Sequence, residues 1–182
     1  MIYSYRIVRE VLSEDTPTKV AGCNDAARYL YANCFPSSDM ARESAWALML
    51  NARNEITGRF LIGQGTDKAV QFDHKAICKV ALETYACAVV VAHNHPSGSC
   101  APSASDIRET QNLKRALDLF NISLLDHIIV ADKEFYSFAD ERTTKAPKVR
   151  KTAKAEPVDI FTAEDIERLN NTMQMAFAAP IL

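Results

Sequence analysis

His93 and His95 stand two residues apart at the end of an apolar run from Ala86 to Ala92. Side chains in an extended segment alternate between faces, so this spacing puts both imidazoles on one side, where they can reach a single ion. Pro96, Ser97 and Gly98 then supply residues that turn a chain. Ser103 and Asp106 follow at a spacing that reads as a helix start. Ser103 falls near the N-cap and Asp106 in the first turn, with its carboxylate able to point back at the histidines. Two imidazoles, one carboxylate and an open fourth position make the ligand set of a catalytic zinc site. Imidazole is a poor ligand for magnesium or calcium, whereas iron and manganese remain compatible with it.

The order His93-x-His95-Pro96, then Ser103-x-x-Asp106, resembles the signature of the JAMM/MPN+ metalloproteases. The fuller pattern, from His93 through Gly98, then Pro102-Ser103-x-x-Asp106 and later Leu124 to Val130, resembles the RadC branch of that superfamily. The likeness runs from about residue 40 to 140. It implies an α/β fold of the JAMM/MPN, cytidine-deaminase-like kind, with a mixed, curved β-sheet flanked by α-helices. It also implies zinc held by His93, His95 and Asp106. In that family a glutamate precedes the first core strand and handles the attacking water, and Glu43-x-x-Trp46-x-Leu48-x-Leu50-Asn51 resembles that element. Taken alone, Glu43 reads as a solvated carboxylate at a strand edge. The competing carboxylate, Glu55, follows Arg53 and Asn54 in what reads as a turn, where side chains are solvated.

With these residues the resemblance implies a zinc-dependent peptidase or isopeptidase. Glu43 would serve as general base and Ser103 as a hydroxyl donor to the developing oxyanion. Ser-x-x-Asp at a helix start is equally a capping-box arrangement, and both roles stay open. The substrate would be a protein or peptide, which the motif does not identify. A reading from another class is a DNA-repair-associated accessory protein with a non-catalytic metal site, motivated by the RadC name and by a basic stretch near the C-terminus. A structural zinc is normally closed by four protein ligands, which weighs against that second reading. A hydrolase of some non-peptide amide is a third. The helix-hairpin-helix region usual upstream in full-length RadC-like proteins is not expected in a chain this short, so its DNA binding is not carried over.

At 182 residues, with about half of them apolar, the chain can bury one sizeable core plus an appendage. The formal charge of −2 shows no overall basic excess of the kind that marks a nucleic-acid scaffold. Five cysteines, at 23, 34, 78, 87 and 100, form no C-x-x-C pair and suit a reducing compartment. Apolar runs are too short to span a bilayer and the N-terminus carries no signal pattern, so a cytoplasmic location is expected. Cys100 lies between the candidate ligands but outside the motif and reads as a loop thiol. His74 and His127 read as a helix-start residue and a hydrogen-bonded core histidine. Asn94, projecting opposite to the ligand pair, reads as a supporting hydrogen-bond partner.

Periodicity places the elements around the site. Residues 1–39 carry a strand over 1–12 and a helix over 24–34 capped by Asn24, both packing on the core. The domain at 40–140 has strands over 44–51, 56–62, 86–92, 122–131 and 134–138, with helices near 73–85 and 103–120. A basic linker is expected over 141–160. A C-terminal amphipathic helix in 161–182, with Ile166, Leu169, Met173 and Phe177 in one stripe, is expected to dock on the domain or on a partner chain.

Overall fold

Alternation along the most apolar runs builds a sheet whose two faces are both covered. The computed structural model describes residues 18–35, 42–64 and 73–148. The elements run in the order α1 (Cys23–Asn33), β1 (Ser44–Leu50), β2 (Ile56–Gln64), α2 (His74–Glu83), β3 (Ala88–Asn94), α3 (Ala104–Asp118), β4 (Ser123–Val130), β5 (Glu134–Ser137) and β6 (Arg142–Lys145). One six-stranded sheet results, in the order β2-β1-β3-β4-β5-β6. Among the described residues only β3 and β4 pair in parallel, the other neighbours being antiparallel. A parallel pair needs a crossover connection, and α3 supplies it. The fold is thus mixed α/β with a sheet flanked by helices, as the sequence led us to expect.

On one face Leu48, Leu50, Val90, Ala92, Ile128 and Val130 pack under α1, which contributes Ala26, Ala27 and Leu30. On the other, Ala45, Ala47, Met49, Val89 and Val91 meet Ile77 and Ala81 of α2 and Leu113 and Leu117 of α3. All seven residues of β3 are buried, which accounts for its uninterrupted apolar run. Fully burying a leucine such as Leu30 or Leu117 contributes about 1.5–3 kcal/mol. The helices are therefore held to the sheet chiefly by these stripes, and the strand ends that carry polar groups are positioned by them.

Several boundaries differ from expectation. Asn24 does not cap α1: the N-cap is Gly22, and the neighbouring Asp25 carboxylate accepts the Ala21 N–H at 3.1 Å. β3 continues through His93 and Asn94, because Ala45 pairs with His93 and Asn94 with Val130 on its two sides. Residues 142–145, expected as the start of a linker, form β6 on the edge of β5, so the sheet extends past residue 140. The chain divides into units Met1–Arg150 and Lys151–Leu182, and all described residues belong to the first. The expected N-terminal strand and C-terminal helix lie outside the described residues. No described helix is long and apolar enough to cross a membrane.

Candidate metal centre

The β1–β3 register decides which side chains meet. Ala45 stands opposite His93 in this antiparallel pair, so continuing two residues brings Glu43 to the position opposite His95. Odd-numbered residues of both strands face α2 and α3, as Ala45, Ala47, Val89 and Val91 do. Glu43, His93 and His95 therefore share a face, and one ligand atom from each lies within 4.8 Å of the others. From the same side the first turn of α3 brings Asp106. Its Oδ1 lies 3.4 Å from His93 Nε2 and its Oδ2 3.6 Å from His95 Nε2. The two Nε2 atoms are themselves 2.9 Å apart.

Asp106 is held by a capping box. Its Oδ2 accepts the Ser103 N–H at 2.7 Å, and the Ser103 hydroxyl oxygen accepts the Asp106 N–H at 3.2 Å. Ser103 is exposed and uses its oxygen, not its proton, in this cap, so the two roles open at the sequence level are compatible. His95 is oriented by the loop that follows it. Gly98, at φ 79°, closes a turn whose N–H donates to the His95 carbonyl at 3.0 Å, and His95 Nδ1 meets the Ser99 carbonyl oxygen at 2.8 Å. A carbonyl only accepts, so His95 carries its proton on Nδ1 and aims the Nε2 lone pair into the cluster.

The three approaches of 2.9, 3.4 and 3.6 Å lie around the separation of about 3.3 Å that tetrahedral bonds of ~2.0–2.1 Å would set between ligand atoms. Nitrogen and carboxylate oxygen donors in this arrangement fit a metal ion of the zinc kind. His93 is 2 % exposed, while the His95 and Asp106 side chains are 18 % and 15 % exposed, so the cluster is reached from one side. Burial pushes the His93 imidazole down to about 4, with the Asp106 charge opposing. His95 is raised, first by its hydrogen bond to Asp106, with Glu43 adding to the effect. Burial works to raise the Asp106 carboxyl, yet hydrogen bonds with His95 and Ser103 outweigh it and hold the group well below the usual carboxylate range.

The tertiary structure gives two supporting residues their partners. Asn94 lies opposite Ser44 and takes over from the ladder there: its Oδ1 accepts the Ser44 N–H at 2.8 Å and the Ser44 hydroxyl at 3.1 Å, and its Nδ2 donates to the Arg42 carbonyl at 2.9 Å. These bonds bracket Glu43 and fix the backbone that carries it. His127 is a hydrogen-bonded core histidine, as read from the sequence, and it reaches the pair directly. Its Nε2 sits 2.9 Å from His93 Nδ1 and its ring stacks on Phe138 at 4.7 Å. Its partner Thr110, with Oγ1 2.6 Å from His127 Nδ1, lies one helical turn beyond Asp106.

The other candidates fall elsewhere. Glu55 is bound at the far end of β1, where Asn51 Nδ2 donates to it at 2.8 Å and Arg53 pairs with it at 3.1 Å. His74 instead faces Glu109 of α3 at 3.0 Å. Cys100 is buried against Ile129 and Ala131, and burial raises its thiol, the opposite of a ligand-ready thiolate.

Comparison with known proteins shows the family. The model of the RadC-like JAB domain matches residues 20–143. The chain belongs to that family. A UPF0758 protein of Cupriavidus pinatubonensis is 40 % identical over 106 residues, covering 58 % of this chain and 46 % of the relative. A UPF0758 protein of Chlorobaculum tepidum is 36 % identical over 122 residues, covering 67 % and 54 %. One from Shewanella pealeana is 39 % identical over 103 residues, covering 57 % and 46 %. The chain thus spans about half the length of these RadC-family relatives. Membership in the JAB domain family points to chemistry related to metal-dependent hydrolysis, and the matched range contains the whole cluster from Glu43 to His127.

Proposed function

We propose that this RadC-like domain is a zinc-dependent hydrolase cleaving a peptide or isopeptide bond, with His93, His95 and Asp106 as the metal ligands. The observation that carries this reading is the convergence of two Nε2 atoms 2.9 Å apart with Asp106 on one side and Glu43 across the strand pair. When bound, zinc would polarise the scissile carbonyl and make water acidic enough to attack near neutral pH. Glu43 takes the proton of the attacking water and returns it to the departing amine. Asn94 holds the Glu43 backbone in reach for both transfers. Ser103, with its oxygen occupied by the Asp106 N–H, donates its hydroxyl proton toward the oxyanion, whose charge is greatest in the transition state. Asp106 keeps its charge with the Ser103 N–H donating to its Oδ2.

Metal analysis of purified variants tests the division of labour before a substrate is known. Alanine at His93, His95 or Asp106 is expected to abolish zinc retention, because two remaining protein ligands bind weakly. Glu43→Gln is expected to keep the metal and lose ~10²- to 10⁴-fold in turnover on whichever peptide or isopeptide a library screen identifies. Loss of zinc from Glu43→Gln with full occupancy in Asp106→Ala would reverse the two carboxylates, which the 4.8 Å grouping of Glu43 with both imidazoles makes a discriminating outcome. DNA binding with no cleavage of any library member would overturn the hydrolase reading.

A further inference from the structure

The protons along a hydrogen-bonded chain from α3 to the proposed metal site can be assigned one bond at a time. Thr110 has a single hydroxyl proton, and its oxygen lies 2.5 Å from the Asp106 carbonyl oxygen, a group that only accepts. The proton is committed there. Thr110 Oγ1 is also 2.6 Å from His127 Nδ1, so in that contact the imidazole is the donor. His127 is 1 % exposed and stacked on Phe138 with 4° between the ring planes, surroundings that disfavour a charged ring and hinder its rotation. A neutral ring protonated on Nδ1 has a lone pair on Nε2, and that atom lies 2.9 Å from His93 Nδ1. His93 must then donate from Nδ1, which leaves the lone pair on its Nε2, the atom facing His95 and Asp106.

We propose that Thr110 and His127 are positioning residues that fix His93 in its Nδ1–H form and so present Nε2 as a metal donor. The inference rests on the reading of the cluster as a zinc site and extends it inward by two residues. The two imidazoles are set by different devices: His95 by a carbonyl of its own loop, His93 by a chain that begins at the backbone of α3. The same helix turn therefore supplies both the Asp106 carboxylate and the orientation of His93. Partners of this kind commonly govern metal affinity through the tautomer and basicity of the ligand they bind.

Thr110→Val keeps the side-chain shape and removes the acceptor. His127 Nδ1–H would lose its partner in a buried place, the ring would favour the Nε2–H form, and His93 would be driven to protonate the atom it needs as a ligand. We expect zinc affinity, measured by chelator competition on the full chain with Zn²⁺ alone, to fall by roughly 10- to 100-fold, and Thr110→Ser to restore it. Nitrogen–proton correlation spectra of the ¹⁵N-histidine-labelled, metal-free chain should show His93 as Nδ1–H in the native protein and Nε2–H in Thr110→Val. Native-like affinity in Thr110→Val, or Nε2–H at His93 in the native chain, would overturn the proposal. The native spectrum decides it even if the valine variant fails to fold. A native chain that shows Nδ1–H at His93 yet binds no zinc would instead sink the zinc reading and leave the hydrogen-bond chain standing.

Discussion

Asn94→Ala isolates the anchoring of Glu43 from the metal itself. Asn94 is fully buried and spends its amide on Ser44 and Arg42, the residues either side of Glu43. Among the bonds of Asn94 to described residues, alanine removes two to backbone, at 2.8 and 2.9 Å, and a weaker one to the Ser44 hydroxyl, which can turn to water. At about 1 kcal/mol for each backbone bond, with a further share for the space left behind, the cost comes to about 2–3 kcal/mol. With a urea slope of about 2–3 kcal/mol per molar, the unfolding midpoint should fall by about 1 M. The Ser44 amide should lose protection in hydrogen exchange by more than the global destabilisation accounts for. Zinc content should stay native, because these bonds run to the backbone of Arg42 and Ser44 on either side of Glu43 and not to either imidazole. Turnover on an identified substrate should fall by ~10²-fold, the scale of a group displaced by about 1 Å. An unchanged midpoint with native protection at Ser44 would refute the clamp. A lowered midpoint with full turnover would reduce Asn94 to a purely structural residue.

Ser103→Ala should cost about 1 kcal/mol as a lost cap and reduce turnover by ~10²- to 10³-fold while keeping zinc, since the Ser103 backbone N–H still holds Asp106; thermal unfolding and metal analysis check it, and zinc loss would show that the hydroxyl is needed to place the ligand. Asp126 tests a buried carboxyl on β4, raised first by burial although it accepts the Ser137 hydroxyl at 2.7 Å and the Ala139 N–H at 3.0 Å. The native state there holds a proton more tightly than the unfolded chain, so its contribution to stability is present below the unfolded value of about 3.9 and is lost as pH rises through the raised folded value. Asp126→Asn cannot ionise, so urea unfolding from pH 3 to 7 should show the variant gaining on the native protein as pH rises; a constant or opposite difference would contradict the burial argument.

The parts of the site that were legible from the residues are those built from local rules. His93 and His95 share a face because strand side chains alternate, and Ser103 with Asp106 forms a cap because the first N–H groups of any helix need acceptors. The apolar runs and helical stripes likewise located β1, β3, β4, α2 and α3 to within a few residues. Pairing across the sheet depends on segments far apart in sequence, and tertiary structure decided it. The β1–β3 register brought Glu43 opposite His95 and rejected Glu55. β6, four polar and charged residues with no apolar alternation, is a strand only because β5 offers it an edge. His127 gives the clearest case. Val89 pairs with Leu124 but Val90 pairs with Asp126, so Leu125 is an extra residue in β4. Simple alternation from Leu124 would have turned Asp126 toward α3 and the His93–His95–Asp106 cluster. The bulge shifts the parity by one, buries Asp126 beside Ser137 and delivers His127 to His93. One unpaired residue in a strand exchanges the faces of everything beyond it, and nothing local in the chain announces where that residue will be.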